Sequence, residues 1–373
     1  MFFIPAQYYY YVYLTLVTLL TIYLLGNETQ KINATTLVRR SQEEANWSWL
    51  YIALFFTLFI GFRPVSGKIF GDMGTYAGLW YYSIHNYNGW DSMNFIFDGI
   101  PFFLNKFGLG YTYFFVFIAL IYFVGTAFAM KRLLGRNALL GYVVWLAAFS
   151  TFSYSTNGIK AGAAATLFLL AISFYDRKWI AAIFLLLSFG FHHSMRMPIA
   201  VFVLCLFVER PKTYFWFWVA CLVVAASGAS SVMNWLGEIL RADDAHGANY
   251  LLQDNAYGYR TGFRPDFVLY SAVPVALGYW VIFKKKFNSK TYNFIWSVYV
   301  VANAFWLLCI NASFTNRIAY LSWCIYPLVI IYPFLTKQFM ARQIPMMRTV
   351  VTYNLLFTIF MTVIYYGYIR SAN

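Results

Sequence analysis

The densest group of side chains able to move protons and hold anions is His192-His193-Ser194-Met195-Arg196. Imidazole accepts or donates a proton near neutral pH, and guanidinium presents a planar fork that matches phosphate oxygens. Further cations sit in short motifs scattered along the chain. Arg63 lies in Gly61-Phe62-Arg63-Pro64, and Arg260 and Arg264 lie in Tyr259-Arg260-Thr261-Gly262-Phe263-Arg264-Pro265-Asp266. Arg317 follows Asn316, and Lys160 follows Asn157. Asp72 and Tyr76 occur in Gly71-Asp72-Met73-Gly74-Thr75-Tyr76. If these groups share one face, Arg with His fits a lipid-linked pyrophosphate. Each also has a plainer reading. An arginine at a helix end snorkels, Asp72 and Asp266 serve as salt-bridge partners, and a membrane histidine hydrogen-bonds between helices.

The elements that position these residues are apolar. Of 373 residues, 61% are hydrophobic and only 11% are charged, against about 25% charged in soluble domains. Aromatic content is 23%, and many Tyr and Trp lie at the ends of apolar runs, as an interfacial belt requires. An all-α, polytopic membrane protein of about twelve spans follows. The expected spans are Ala6–Leu25, Trp47–Gly61, Gly110–Met130, Ala138–Phe152, Gly158–Phe174, Trp179–Phe191, Met195–Val208, Tyr214–Met233, Phe267–Phe283, Tyr292–Ile310, Ile318–Leu335 and Thr349–Tyr368. The sixth and seventh are short for a bilayer of about 30 Å, so they are either tilted or re-entrant. The chain reads as a single membrane domain over 1–373. Two long outer loops interrupt it, at 63–109 and 234–266, and short helices are expected within them. The first run lacks a basic leader and a cleavage site, and reads as a retained helix. Cys205, Cys221, Cys309 and Cys324 lie inside apolar runs without metal-ligand spacing and read as core residues.

Charge orients the bundle. Alternate connections, beginning with Lys31, Arg39 and Arg40, hold 17 basic residues and five acids; the opposite face holds ten basic residues and eight acids. The first set is expected to be cytoplasmic. Both long loops and all the motif residues above then face outward. The net charge of +14 is mostly this topology signal and does not imply nucleic acid. Topology disfavours arginine on the outer side, and charge at membrane depth costs a few kcal/mol unless paired or hydrated. A ligand accounts for the outer arginines better. No Walker loop, dinucleotide glycine pattern or metal-ligand cluster appears, which argues against an energy-coupled pump, and no cofactor or metal is expected.

These motifs resemble, in order, those of the EpsG family. The resemblance is carried by Gly61-Phe62-Arg63 with Gly71-Asp72 and Tyr76, and by Ser155-Thr156-Asn157-Gly158-Ile159-Lys160-Ala161-Gly162, with Lys160 where Arg is usual. It continues in Phe191-His192-His193-Ser194, Gly262-Phe263-Arg264-Pro265-Asp266-Phe267 and Asn316-Arg317-Ile318. The Gly-Asp order departs from the commoner Gly-Thr-Asp. The resemblance implies a GT-C-like bundle and a Wzy-type polymerase of O-antigen, capsule or exopolysaccharide in the bacterial cytoplasmic membrane. Its substrate would be an undecaprenyl-pyrophosphate-linked oligosaccharide, used at the periplasmic or outer face. A chain-length regulator and a flippase are the implied partners, beside membrane lipid.

On that reading Arg63, Arg264 and Arg317 hold the pyrophosphate as it leaves, without a metal if the three guanidinium groups converge. His192 or Asp72 takes the proton of the attacking sugar hydroxyl. His192 ranks above His193 because the resemblance places it on the family's histidine. Lys160, Arg196, Arg260, Tyr76 and His193 are expected to make secondary substrate contacts. Three rivals remain. They are an O-antigen ligase, a polyprenyl-linked-sugar glycosyltransferase, which would more typically carry an acidic pair in the first outer loop, and a lipid-linked oligosaccharide flippase, which would place its cations at mid-membrane.

Overall fold

The computed structural model describes residues 4–31, 47–89, 94–228, 262–312 and 315–365. These are helical, with no strand among them. Arg260 and most of the second expected outer loop lie outside the described residues. The helices are α1 (Tyr9–Lys31), α2 (Ser48–Gly61), α3 (Gly67–Phe70), α4 (Met73–Asn86), α5 (Phe95–Lys106), α6 (Tyr111–Leu134), α7 (Ala138–Leu146), α8 (Thr151–Thr156) and α9 (Ile159–Ser173). They continue with α10 (Lys178–Phe191), α11 (Arg196–Phe207), α12 (Pro211–Ala226), α13 (Pro265–Tyr279), α14 (Lys290–Leu308), α15 (Thr315–Trp323), α16 (Tyr326–Thr336) and α17 (Gln343–Ile359). The chain forms two compact units, Met1–Arg196 with Ile331–Asn373, and Met197–Ile330.

Among the described residues, five helical stretches are long and apolar enough to cross a membrane, and five apolar helices are shorter. One long stretch, Tyr111–Leu146, is two elements: Gly135, at φ 58°, stops α6, and a 3-10 turn leads into α7. The expected short helices of the first loop are present as α3, α4 and α5. Ser66 caps α3 by accepting the Ile69 amide.

In the first unit, α6 is the central element. Its 24 residues rise about 36 Å, and α2 and α9 pack along it. At its far end Arg132 reaches the carbonyl of Ser173, the last residue of α9, at 2.7 Å and pairs with Asp176 at 2.7 Å. At its near end Phe115 lies 5.2 Å beneath the Arg63 guanidinium. Arg63 and Arg132 therefore mark opposite ends of one bundle.

The expected span Ala138–Phe152 is not continuous. Its helix ends at Leu146 and resumes at Thr151. Breaking a helix in an apolar interior strands carbonyls, which must find donors from neighbouring elements. Tyr13 of α1 donates to Leu146 O at 2.7 Å, and Thr358 of α17 donates to Ala147 O at 2.7 Å. Asn354 donates to Val144 O at 3.0 Å, Thr151 to Trp145 O at 2.6 Å, and Tyr122 to Thr151 O at 3.1 Å. Each such bond is worth about 1 kcal/mol, and an unfilled acceptor costs about 1–3 kcal/mol. The break lets α8 return to the Arg63 end, where its last carbonyl is used.

In the second unit α14 is buried nearly all round. Trp218 donates to Asn303, and Asn303 to Ser322, at 2.8 and 3.0 Å. The expected span Ile318–Leu335 turns at Cys324–Ile325, between α15 and α16. Trp323, the last residue of α15, donates to Ser271 Oγ of α13 at 2.7 Å and packs edge-on against Phe267.

Candidate functional site

In the first unit, motifs far apart in sequence meet at the Arg63 end. Helix α2 stops at Gly61, where a Cβ would lie 2.8 Å from the Val116 backbone of α6. That close approach sets Arg63 over α6. Arg63 is 2% exposed. It donates to Ile60 O at 2.8 Å and to Thr156 O at 2.9 Å, tying together the C-termini of α2 and α8, where a cation is favoured. Phe70 and Phe115 cover its faces at 5.5 and 5.2 Å. Its Nε has no hydrogen-bond partner, and no carboxylate pairs with it among the described residues. Burial pulls the guanidinium down to about 9, opposed by the Tyr9 phenol, so it stays cationic at neutral pH.

Thr156 leads directly to Asn157, whose Oδ1 accepts the Asp72 amide at 2.8 Å. Gly71 is needed at this contact. Its φ is 53°, and a Cβ there would lie 2.6 Å from Asn157 Oδ1. The Gly-x-Arg, Gly-Asp and Asn-Gly motifs thus form one connected joint. Asp72 is half-buried at the start of α4. Tyr76, one turn on, is buried with its ring 5.6 Å from Phe97 of α5.

Phe97 is the hub of the cluster. Lys160 Nζ lies 5.6 Å from its ring centre, and Phe114 and Phe191 lie at 5.4 and 6.3 Å. Phe191 ends α10 and hands the chain to His192 and His193, whose rings are 5.0 Å apart. His192 Nδ1 accepts the Ser194 amide at 3.2 Å. Asn94, 6% exposed, accepts the His193 amide at 3.1 Å and faces His193 Nδ1 at 3.2 Å. Arg196 is exposed, with its guanidinium 5.8 Å from the Phe189 ring. Sequence reasoning missed Asn94 and Phe97. Neither carries a local signal, since Asn94 acts on a residue 99 positions away and Phe97 is one aromatic among many.

Behind this cluster, Phe95, Ile96 and Ile100 of α5 line an apolar cleft of about 550 Å³ with Tyr87, Phe103, Leu104 and Phe117. Phe95 and Ile96 also press on Gly190, where a Cβ would meet them within 2.7 Å. The cleft wall and the last turn of α10 before the histidines are therefore in direct contact.

Arg264 and Arg317 belong to the second unit. Arg264 makes a two-pronged pair with Asp266, at 2.9 and 2.6 Å, and lies 3.9 Å from the Phe267 ring. Asp266 and Phe267 in the Arg-x-Asp-Phe motif thus hold the guanidinium plane. Arg317 is exposed in the first turn of α15, whose first residue is anchored by Trp306 Nε1 donating to Thr315 at 2.9 Å. A family model described as the EpsG family matches residues 46–372. No curated protein and no solved structure matches the chain.

Proposed function

The chain belongs to the EpsG family, membrane proteins of the polysaccharide-polymerase type, and on that premise we propose that it extends a glycan on a lipid pyrophosphate. The donor is a polymer on undecaprenyl pyrophosphate, and the acceptor is the sugar of the next lipid-linked repeat unit. The reading includes about twelve spans in a GT-C-like bundle, in the bacterial cytoplasmic membrane, with the Arg63 end facing the periplasm or exterior.

One observation carries the reading. A buried arginine without a carboxylate partner among the described residues, a lysine, an exposed arginine, an aspartate and two histidines gather at one end of the first unit. A local cationic surplus beside proton-transfer groups suits departure of a pyrophosphate under attack by a hydroxyl. In the first unit Lys160 and Arg196 take the phosphate oxygens. Arg63 adds its charge from beneath and positions Asn157 and Asp72. In the second unit Arg264 and Arg317 are the phosphate-binding groups. Tyr76 and, outside the described residues, Arg260 complete the substrate contacts. The apolar cleft on α5 suits part of a hydrocarbon tail.

As the anomeric carbon–phosphate oxygen bond breaks, its electron pair leaves with the lipid pyrophosphate. The acceptor oxygen bonds to that carbon and loses its proton to a group of the cluster. The test is purified protein in nanodiscs with lipid-linked repeat unit, resolved on a gel. A ladder of products supports the reading. Transport of labelled unit across vesicles without chain growth would favour the flippase instead, and transfer of the glycan to a lipid A core would favour the ligase.

A further inference from the structure

Two adjacent histidines in one step between helices need not play one role, because their hydrogen bonds differ in kind. Helix α10 ends at Phe191, and His192 is extended at φ −154° and ψ 117°. This extension turns its ring back over the following 3-10 turn, His193–Met195. The Ser194 amide donates to His192 Nδ1 at 3.2 Å. A backbone N–H only donates, so this nitrogen must carry a lone pair. Neutral His192 therefore holds its proton on Nε2.

His193 is fixed the opposite way. Its own amide donates to Asn94 Oδ1 at 3.1 Å. An amide nitrogen cannot accept that bond, so the orientation of the Asn94 carboxamide is set by the backbone. The same oxygen faces His193 Nδ1 at 3.2 Å, and two acceptors cannot share a hydrogen bond. His193 must therefore carry a proton on Nδ1, and in the neutral ring the lone pair is on Nε2. Asn94 is buried at the head of α5, three residues before Phe97, whose ring lies 5.6 Å from Lys160 Nζ.

We propose that His193, and not His192, takes the proton of the attacking sugar hydroxyl, that Asn94 holds it in the competent tautomer, and that His192 donates from Nε2 to the departing pyrophosphate. The proposal rests on the polymerase reading. The acceptor oxygen forms its bond to the anomeric carbon while the O–H bond breaks, leaving its pair on oxygen and its proton on His193 Nε2. The carbon–oxygen bond to phosphate breaks with its pair to the leaving group. The imidazolium of His193 then returns the proton to water. Protonated His193 keeps its bond to Asn94, whereas a second proton on His192 Nδ1 would break the Ser194 bond. The geometry thus favours His193 as the site that charges during the reaction.

The experiment is nitrogen NMR of ¹⁵N-histidine-labelled full-length protein in nanodiscs, with His192→Gln and His193→Gln used for assignment. Alongside it, chain growth is measured with lipid-linked repeat unit. The expected spectra show neutral His193 protonated on Nδ1 and neutral His192 protonated on Nε2. His193→Gln loses about 10²–10⁴-fold in chain growth while retaining binding of lipid-linked unit. His192→Gln is milder. Asn94→Ala moves His193 toward the Nε2–H form and slows growth, and Asn94→Asp, which keeps an acceptor oxygen, restores both. A His193 proton on Nε2 in the wild type would overturn the proposal. So would near wild-type chain growth by His193→Gln. If the wild type itself builds no chain, the polymerase reading and the base assignment fall together, while the tautomers still stand or fall on the spectra.

Discussion

Arg63 and Arg132 do the same structural work at opposite ends of one bundle, and they differ in charge partner and in exposure. Each ties a helix C-terminus through a backbone carbonyl, Thr156 O for Arg63 and Ser173 O for Arg132. Each lies against aromatic rings. Arg132 also has a carboxylate, at 2.7 and 2.9 Å from Asp176, and its side chain is 27% exposed. Arg63 is 2% exposed and has no such partner among the described residues. Bundle fixation therefore needs no unpaired buried charge, since the Arg132 end achieves it without one. The unpaired charge at the Arg63 end is a cost of folding, and a site that must attract a pyrophosphate is a physical reason to bear it.

The largest expected effect is a double dissociation. Burial lowers the Arg63 guanidinium to about 9, so keeping it charged at any lower pH costs the folded state stability. An apolar side chain there relieves that cost but strands the Thr156 carbonyl, at about 1–3 kcal/mol, so the two effects largely offset. Arg63→Met is therefore expected to unfold within about 1 kcal/mol of the wild type, or later, while chain growth falls by about 10²-fold, as when one preorganised electrostatic donor is removed from an active site. Arg132→Met should do the reverse, losing about 1 kcal/mol and keeping chain growth. Thermal unfolding in detergent and the gel assay read both.

A smaller contrast lies in two glycines with positive φ. Gly71, at 53°, abuts Asn157 Oδ1, whereas Gly135, at 58°, ends α6 near Arg132. At ψ −112° and −123° neither lies in the left-handed α region, and alanine at either position costs about 1–3 kcal/mol of backbone strain. Only Gly71→Ala also drives Asn157 off the Asp72 amide. It should reduce chain growth about tenfold more than Gly135→Ala does, the equivalent of one hydrogen bond. Equal reductions would separate the Asn157–Asp72 joint from function.

Much of this arrangement is legible in the sequence, because helix ends and motifs are local features. Gly61 followed by Arg63-Pro64 marks a helix stop, and the Arg-x-Asp spacing of Arg264 and Asp266 already contains the ion pair as one of its readings. The Arg63 end appears as a series of short motifs before any contact is known. What the sequence hides is set at long range. Hydropathy runs unbroken through Ala138–Phe152, and the break after Leu146 exists because Tyr13 and Thr358 supply donors from more than 130 positions away. Arg63 reads as a phosphate ligand, yet its two terminal nitrogens are taken by carbonyls, one of them 93 positions on. The ranking of the two histidines depends on Asn94, which nothing nearby in sequence announces.

The most direct measurement replaces one lysine at each end and follows chain growth by purified protein in nanodiscs supplied with lipid-linked repeat unit. Lys160 lies in the Phe97 cluster at the Arg63 end, and Lys131 lies beside Arg132. Both changes remove one charge from the same bundle. Lys160→Met is expected to lower chain growth by about 10²-fold, with recovery in Lys160→Arg, which restores a phosphate-binding cation. Lys131→Met is expected to stay within about twofold of the wild type, as for a half-buried charge at the far end of the bundle from the site. Equal chain growth in Lys160→Met and Lys131→Met would contradict a catalytic centre at the Arg63 end.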